Sequence, residues 1–431
     1  MRKVLIIGSI WPYHKGGGAR VLGLAEQLPE FGWEPIVVTA PLDKKPDVKF
    51  KIIETPSKDI LEPWLRLFRL KPDASMSVRE QVFRQLGVRS KKSIRRSMID
   101  FAFTRLMEII YYPDSEKRWK PFALKACTEL LQREDVEAII SSSPPVTSHL
   151  IARELKVKHE IPWIADFPHL WSQDNSYPYG SLRRMLDRRL EIKTLSQADA
   201  LVTINKPMAE KLRILHKKQA IYATPHGFDP KTLNLAPDKL TDKFTITYTG
   251  SFAPSRREPT KLFVALKRLI SEGIIERGRI AVRFYGPPES WIDSDIEKYG
   301  LSGIVKQYGK VPLAVSHEKQ RESQLLLVPK WQDPQDNSVI SMKVYEYLAA
   351  RRPILAVGGH RDVVDDLLEE TGAGVCATSE EDVANTIKEL YQEYRQKGEV
   401  GFHGDGTRID KYSRREMMGK FAEILNNLTG I

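Results

Sequence analysis

Short apolar runs alternate with longer amphipathic windows along almost the whole chain. The runs have the length of β-strands, and the windows repeat their apolar positions at helical spacing. The runs predicted as strands are Val4–Gly8, Pro35–Thr39, Ala138–Ser142, Trp163–Phe167, Ala200–Ile204, Thr245–Gly250, Val282–Gly286, Gln324–Pro329, Pro353–Val357 and Gly374–Ala377. Short apolar strands separated by helices indicate parallel sheets that helices cover on both faces.

This alternation is interrupted once, between His226 and Lys243, in a stretch rich in Pro, Asp and Lys. A new strand follows at Thr245. We therefore predict two α/β domains, residues 1–225 and 244–412, joined by a linker at 226–243. The pattern of the tail, 413–431, predicts a helix, which could cross back to the first domain.

Composition is that of an ordinary soluble protein, with 431 residues, 41% apolar and 29% charged. Cys127 and Cys376 are far apart, and the histidines show no ligand spacing, which predicts a reducing, cytoplasmic location and no metal site. The N-terminal run Val4–Ile10 is too short for a signal peptide or a membrane span.

The net charge of +11 calls for an anionic partner, either nucleic acid or a membrane surface. Nucleic acid is not expected, because no known binding module is present. Many of the cations lie between Arg66 and Arg118, interleaved with apolar residues. This segment, about 60–118, is typical of a basic amphipathic helix on anionic lipid, and equally of a solvated basic face over a core helix.

The segment Ser341–Ala350 predicts a short helix followed by a buried strand. Lys343 and Glu346 are three residues apart and share the exposed edge, while Val344, Tyr347 and Leu348 face the core. A carboxylate can accept hydrogen bonds from ribose hydroxyls, and a lysine can bind phosphate oxygens. This edge is therefore a candidate nucleotide site.

Two further candidate groups lie in the first domain. Gly16, Gly17 and Gly18 follow a strand and open a helix, so their amides could approach an anionic or sugar group closely, and a simple tight turn is the competing explanation. Asp166 and His169 lie just past a predicted buried strand, where open α/β sheets bind ligands. Either could orient an acceptor hydroxyl or accept its proton, and a loop Asp capping the next helix explains Asp166 equally well.

In the second domain, Arg256, Arg257 and Lys261 follow Gly250 in a loop that leads into a helix. Cations in such a place could stabilise the negative charge of a departing diphosphate, whereas exposed surface charge is the competing explanation. The Asp293-Ser294-Asp295 sequence is compatible with a metal motif, but it opens a helical window, where acidic residues favour the helix dipole.

Taken in order, these segments resemble the bacterial glycosyltransferase family 4-like (group 1) proteins of the type that builds surface polysaccharides. Lys343 to Leu355 resembles the family's K-x-x-E-Y-L-A-A-x-x-P-I-L block. Thr224–Asp229 resembles its interdomain P-N-G-x-D turn, with His for Asn, and Thr247–Ser251 resembles the strand that opens its second domain.

The resemblance implies a GT-B fold, in which two Rossmann-like domains with parallel sheets face a central cleft. It implies a retaining glycosyltransferase of hexosyltransferase type that moves a sugar from a nucleotide-sugar donor of UDP or GDP type. The acceptor would be lipid-linked or a polysaccharide, at the inner face of the cell membrane. The donor would be a substrate, and no metal or other cofactor is expected.

The resemblance also assigns roles to particular residues. Arg256 and Lys261 would stabilise the leaving group, and Asp166 and His169 would serve the acceptor. Donor binding would fall to Gly17, Gly18, Gly250, Asn337, Ser338, Lys343 and Glu346.

Two departures from the family pattern leave other functions open. Ser338 stands where many members have a glutamate, and Pro168 and His169 replace an Arg-Asp pair. One alternative is therefore a catalytically silent scaffold that recruits or regulates a partner. Another is a sugar-nucleotide epimerase on the same fold, which would need a cluster of acids and histidines that the sequence does not assemble.

Overall fold

The computed structural model describes residues 1–8, 18–67, 80–81, 94–229, 231, 239–333 and 336–430. The chain divides into two compact units. Unit 1 comprises Met1–Thr224 and Met418–Ile431, and unit 2 comprises Pro225–Met417. The predicted site residue Gly17 and most of the basic segment, at 68–79 and 82–93, lie outside the described residues.

Unit 1 is built on a parallel sheet of seven strands in the order β3-β2-β1-β4-β5-β6-β7. The strands are β1 (Arg2–Ile7), β2 (Trp33–Thr39), β3 (Lys51–Glu54), β4 (Val136–Ser142), β5 (Trp163–Phe167), β6 (Ala200–Thr203) and β7 (Ala220–Ala223). The sequence prediction finds the five central strands and misses the two edge strands, β3 and β7. β3 has a charged residue at each end, and β7 is a run of only four residues whose side chains are exposed or partly buried.

The helices of unit 1 connect these strands. They are α1 (Gly18–Gln27), α2 (Glu62–Leu67), α3 (Ile94–Ile110), α4 (Lys120–Arg133), α5 (Thr147–His159), α6 (Ser181–Leu195) and α7 (Lys206–Leu215). After α1 a 3₁₀ turn, Leu28–Phe31, ends at Gly32, which has φ 86° and closes the turn in the left-handed region.

Unit 2 contains a second parallel sheet, of six strands in the order β10-β9-β8-β11-β12-β13. The strands are β8 (Phe244–Thr249), β9 (Ile280–Tyr285), β10 (Val305–Gly309), β11 (Leu325–Pro329), β12 (Ile354–Val357) and β13 (Gly374–Ala377). The sequence prediction misses only β10, an edge strand in which exposed and partly buried side chains alternate after Val305.

Side chains of the unit 2 sheet enter two separate cores, one on each face. Along β11, Leu325 and Leu327 belong to one core and Leu326 and Val328 to the other, which is the two-residue alternation of a strand buried on both sides. The surrounding helices are α8 (Thr260–Ser271), α9 (Ser290–Lys298), α10 (Leu313–Arg321), α11 (Met342–Ala350), α12 (Val363–Thr371), α13 (Glu380–Lys397) and α14 (Gly406–Asp410).

The last helix, α15 (Arg414–Thr429), contributes its residues from Met418 onward to unit 1. There Trp33 Nε1 donates a 3.0 Å hydrogen bond to Asn426 Oδ1. At the start of unit 2, Phe228 is buried in a core and pairs with the backbone just before α15, since its amide donates to Tyr412 O at 3.0 Å. Within the part of the chain that the structure describes, no helix is both long and apolar enough to cross a membrane.

Candidate active site

In unit 2 the carboxyl ends of β8 and β9 approach each other and α11 very closely. A Cβ atom placed on Gly250 would lie 2.1 Å from Lys343 Cε and 2.9 Å from Lys343 Nζ. A Cβ on Gly286 would lie 1.9 Å from the carbonyl oxygen of Gly250. Glycine is therefore required at position 286, where the clash is with backbone, whereas a side chain at position 250 would displace Lys343 from the end of the strand.

Helix α11 presents the predicted polar edge. Val344, Tyr347 and Leu348 are fully buried, as the sequence predicts, whereas Lys343 and Glu346 are partly exposed. Ser341 caps the helix by accepting a hydrogen bond from the Lys343 amide. The first turn contains no acidic residue, so Lys343 adds its charge to the positive end of the helix dipole.

Arg257 brings another positive charge to this position. Burial lowers the pKa of Lys343, the nearby Arg257 guanidinium lowers it further, and Glu346 opposes both effects. Arg257 Nε is buried and has no hydrogen-bond partner among the described residues. The loop that carries it is held by Ala253, whose amide donates to Arg257 O at 2.9 Å. Sequence reasoning places Arg257 in this loop but does not select it as a site residue.

The Glu346 carboxylate lies at the other end of the same edge. Gln320 Nε2 donates to Glu346 Oε2 at 3.4 Å and to Thr249 Oγ1 at 2.9 Å, which ties the carboxylate to the end of β8. Burial lowers the pKa of nearby His317, and the Glu346 charge partly offsets that effect. Glu346 thus retains acceptor capacity beyond one long hydrogen bond.

Arg256 and Lys261, the cations selected from the sequence, make other contacts. The Arg256 guanidinium lies 5.4 Å from the centre of the Trp331 ring, and its carbonyl accepts from the Gln332 amide at 2.9 Å. Lys261 Nζ donates to the carbonyl of Thr378. Of the three cations, Arg257 is therefore the one whose charge acts on Lys343.

Asn337 and Ser338 lie in the turn that precedes α11. Ser338 is 7% exposed, and its hydroxyl donates to Asp336 Oδ1 at 2.7 Å. The carbonyl of Asn337 accepts from the Val363 amide at 3.3 Å. The serine that replaces the family's glutamate is thus engaged within its own turn.

A buried ion cluster follows β11 and was missed by sequence reasoning. Lys330 Nζ donates to His360 O at 2.6 Å and to Asp365 Oδ2, and it lies 3.5 Å from Asp362 Oδ1. Burial raises the pKa of Asp362 to about 6. Asp362 and Asp365 also cap α12, so the cluster holds the loop between β12 and α12. In the sequence, a single lysine after a strand does not indicate that it will join a buried ion cluster.

In unit 1 the predicted site residue Asp166 lies within β5, not past its end, and is fully buried. Both carboxylate oxygens accept from Arg20 Nε at 2.9 Å, and Oδ2 also accepts from Ser142 Oγ at 2.7 Å. Arg20, in the first turn of the helix that Gly18 opens, also donates to Thr224 O at 3.0 Å. His169 lies past the strand, and its side chain is exposed.

Asp166 is therefore the partner of a buried cation, which the sequence did not indicate because Arg20 is 146 residues away. Of the two acceptor-side candidates, only His169 has a side chain open to solvent. Among the described residues, no group of three or more His, Cys, Asp or Glu side chains is arranged to hold a metal ion.

Comparisons with known proteins agree with this architecture. Residues 15–217 match the model of the glycosyl transferase 4-like domain. No curated protein matches the chain in a sequence search.

Solved structures of glycosyltransferases match over nearly the full length. Sucrose-phosphate synthase from Thermosynechococcus elongatus is 14% identical, with 99% of each chain covered and a TM-score of 0.61. HepE from Anabaena, in complex with UDP, is 12% identical, with 99% of this chain and 100% of that chain covered and a TM-score of 0.63. A TarM mutant from S. aureus is 10% identical, with the same coverage and a TM-score of 0.59.

The two parallel-sheet units and the solved structures confirm the GT-B fold that the sequence suggested, and the matched domain agrees with the resemblance to family 4-like glycosyltransferases. The chain therefore carries a glycosyl transferase 4-like domain at residues 15–217 within a GT-B fold, which together support a transferase acting on sugars.

Proposed function

We propose that this protein is a retaining glycosyltransferase that uses a nucleotide-sugar donor of UDP or GDP type. Its acceptor is a lipid-linked sugar or a growing polysaccharide in cell-surface glycan synthesis, at the inner face of the cell membrane. In this proposal unit 2 binds the donor, and the donor is a substrate, with no further cofactor.

The observation that carries the proposal is the excess of positive charge at the end of β8. Lys343 and Arg257 lie close enough for one to lower the pKa of the other, and the amino end of α11 adds to the same field. Like charges held together are unfavourable unless an anion lies between them. A diphosphate has the charge and the oxygen acceptors that these groups require.

Chemistry at this position follows from the leaving group. During transfer, the bond between the anomeric carbon and the diphosphate oxygen breaks, and its electron pair remains on the nucleoside diphosphate. The acceptor hydroxyl forms the new bond to that carbon and loses its proton. Lys343 and Arg257 are placed to stabilise the charge that develops on the diphosphate.

Glu346 completes the donor site in this proposal. Its carboxylate, one turn beyond Lys343 and held by Gln320, can accept hydrogen bonds from the two ribose hydroxyls. The structures of HepE contain UDP, UDP with glucose, or UDP-glucose, and the TarM mutant contains UDP. These complexes support UDP as the first nucleotide to test.

On the acceptor side, we assign different roles to the two predicted residues. His169 is exposed beyond the end of β5 and is available to orient an acceptor hydroxyl or to accept its proton. Asp166 is already paired with Arg20, so we assign it the positioning of α1. Retention of configuration rests on the family resemblance.

The test is a binding panel of UDP, GDP, UDP-glucose and GDP-mannose, measured by thermal shift and calorimetry. We expect one nucleotide class to bind, and Glu346→Ala to weaken it at least about tenfold, the loss expected for hydrogen bonds to a charged group. Arg257→Met should weaken binding more than Arg256→Met does, because of the two only Arg257 has a charge that acts on Lys343.

Glu389 is an exposed carboxylate on α13. The variant Glu389→Ala is therefore the matched control, and it should bind the nucleotide normally. Failure of the folded protein to bind any of the four compounds would contradict the proposal and favour the silent scaffold. Equal effects of Glu346→Ala and Glu389→Ala would remove Glu346 from the site.

A further inference from the structure

Helix α6 of unit 1 has its polar side chains turned inward. Arg183, Asp187, Glu191 and Thr194 are each less than 5% exposed. Their spacing of four, four and three residues places them on one stripe of the helix. An amphipathic helix on a globular domain normally buries an apolar stripe instead, so α6 is inverted.

Hydrogen bonds and ion pairs explain why this polar stripe can be buried. Arg183 Nε donates to Asp187 Oδ2 at 2.9 Å, and the same guanidinium donates to the carbonyl of Glu108. Glu191 accepts from the amide of Ser172 at 3.0 Å and from its hydroxyl. These partners offset much of the desolvation of the charges, while Asp187 Oδ1 and Thr194 Oγ1 are buried without a hydrogen-bond partner among the described residues.

The outward face of α6 is consequently apolar and basic. Its exposed apolar side chains are Leu182 (68% exposed), Met185 (42%), Leu186 (41%) and Ile192 (42%). Its exposed charged side chains are Arg184, Arg188, Arg189 and Lys193. Both acidic residues of the helix, Asp187 and Glu191, lie on the buried stripe, so the outward face carries positive charge only.

Helix α3 presents a similar stripe next to it. Met98, Phe101 and Ile109 are 69%, 63% and 72% exposed and lie on one side of the helix. Arg105 lies between them, and its guanidinium carbon is 5.0 Å from the centre of the Phe101 ring. Its Nη1 atom also lies next to Gly180, directly before α6, because a Cβ atom placed on that glycine would be only 2.3 Å away. The two exposed stripes are therefore neighbours, and together they form the α3–α6 face.

We infer that the α3–α6 face docks on an anionic lipid membrane. The face mixes exposed aliphatic and aromatic side chains with cations, and it has no acidic residue on the α6 side. The cations are complementary to anionic lipid headgroups, and the apolar side chains to the acyl chains below them. A second copy of the chain is a poor fit, because a symmetric contact would oppose the four cations of α6 to those of its partner.

This inference does not rest on the proposed transfer reaction, because membrane binding is measured without donor or acceptor. The experiment is flotation of the full chain with phosphatidylcholine vesicles that contain phosphatidylglycerol, compared with pure phosphatidylcholine. We expect binding only to the anionic vesicles and weaker binding at high salt, where surface charges are screened.

Two double variants test the two components of the face. Leu182→Gln with Leu186→Gln removes apolar surface, and Arg188→Glu with Arg189→Glu reverses two charges. Each should reduce vesicle partitioning at least about tenfold. Matched controls elsewhere on unit 1 are Val157→Gln with Ile214→Gln, and Lys217→Glu with Lys218→Glu, which are also exposed.

Absence of vesicle binding by the unaltered protein, or equal losses in the control variants, would overturn the inference. A concentration-dependent dimer that Leu182→Gln with Leu186→Gln abolishes would assign the face to a second copy and overturn it as well. Nucleotide binding measured on the same variants should be unchanged, so failure here is separate from failure of the donor-site proposal.

Discussion

The two units each hold a charged cluster at the carboxyl end of a parallel sheet, and the two clusters differ in how their charges are balanced. In unit 1, Asp166 and Arg20 are buried, and each satisfies the other. In unit 2, Lys343 and Arg257 are both positive, the charge of Arg257 lowers the pKa of Lys343, and Glu346 offsets this effect only in part. The comparison teaches that a strand-end position alone does not identify a binding residue, whereas an unbalanced charge there points to a missing ligand.

Breaking the balanced cluster should produce the largest effect. Asp166→Ala leaves the buried Arg20 guanidinium without its carboxylate, and we expect the free energy of unfolding of unit 1 to fall by about 3 to 5 kcal/mol. Chemical denaturation followed by a probe in unit 1 measures this change. Glu137→Ala, which removes the partner of the partly exposed Arg2, is the control and should change stability by about 1 kcal/mol or less.

If the pair is the cause, replacing both partners should undo part of the damage. The double variant Arg20→Met, Asp166→Leu removes both charges and should be more stable than Asp166→Ala. A double variant as unstable as the single one would show that the shape of the site, rather than the ion pair, sets the stability of unit 1.

A second prediction disturbs the unbalanced cluster without altering a charge. Gly250→Ala places a methyl group where Lys343 lies, so the lysine must move off the end of β8. We expect donor affinity to fall by about ten- to a hundredfold, the loss expected for a displaced charged contact. Calorimetry with the nucleotide that binds the unaltered protein measures the change.

Gly278→Ala is the matched control, because a Cβ at that position meets no atom within 4 Å. Its donor affinity should equal that of the unaltered protein. Normal affinity in Gly250→Ala would separate Lys343 from donor binding and leave the cluster unexplained.

The smallest effect expected is a dependence of donor affinity on pH, which arises from Lys343 in unit 2. Burial and Arg257 lower the pKa of Lys343 below 10.5, and a bound diphosphate would raise it again. Donor binding therefore favours protonated Lys343, so affinity should be constant below the lowered pKa and fall as the pH rises through it, by no more than about tenfold per pH unit.

Lys343→Arg provides the control for this profile, because its guanidinium stays charged over the same range. Its donor affinity should be nearly independent of pH in that window. The same slope in both proteins would assign the titration to a group other than Lys343.

Much of the fold could be predicted because the central strands of both sheets are apolar on both faces. The central strand Trp163–Phe167 is predicted with its observed bounds, and so is one edge strand, Gly374–Ala377. Edge strands such as Lys51–Glu54 and Val305–Gly309 were missed, since a strand with one exposed side lacks a continuous apolar run.

The donor-side helix could also be predicted, because Lys343, Glu346 and the buried residues between them follow a local helical period. Partners distant in sequence could not. Arg20 and Asp166, or Lys330 and Asp365, meet only when the sheet brings strand ends and helix starts together. Likewise, adjacency in the sequence could not decide whether the charge of Arg256 or that of Arg257 acts on Lys343.

By itself, the sequence determined the alternation of strands and helices, the family resemblance and the polar edge of α11. These depend on local periodicity and on motifs that lie within a few residues of one another. Only the tertiary structure decided which charges are neutralised, as at Asp166, which remain unbalanced, as at Lys343, and which face of α6 is left apolar. Those outcomes depend on contacts between residues far apart in the chain, and burial strengthens an ion pair such as that of Arg20 with Asp166 because water no longer screens the charges.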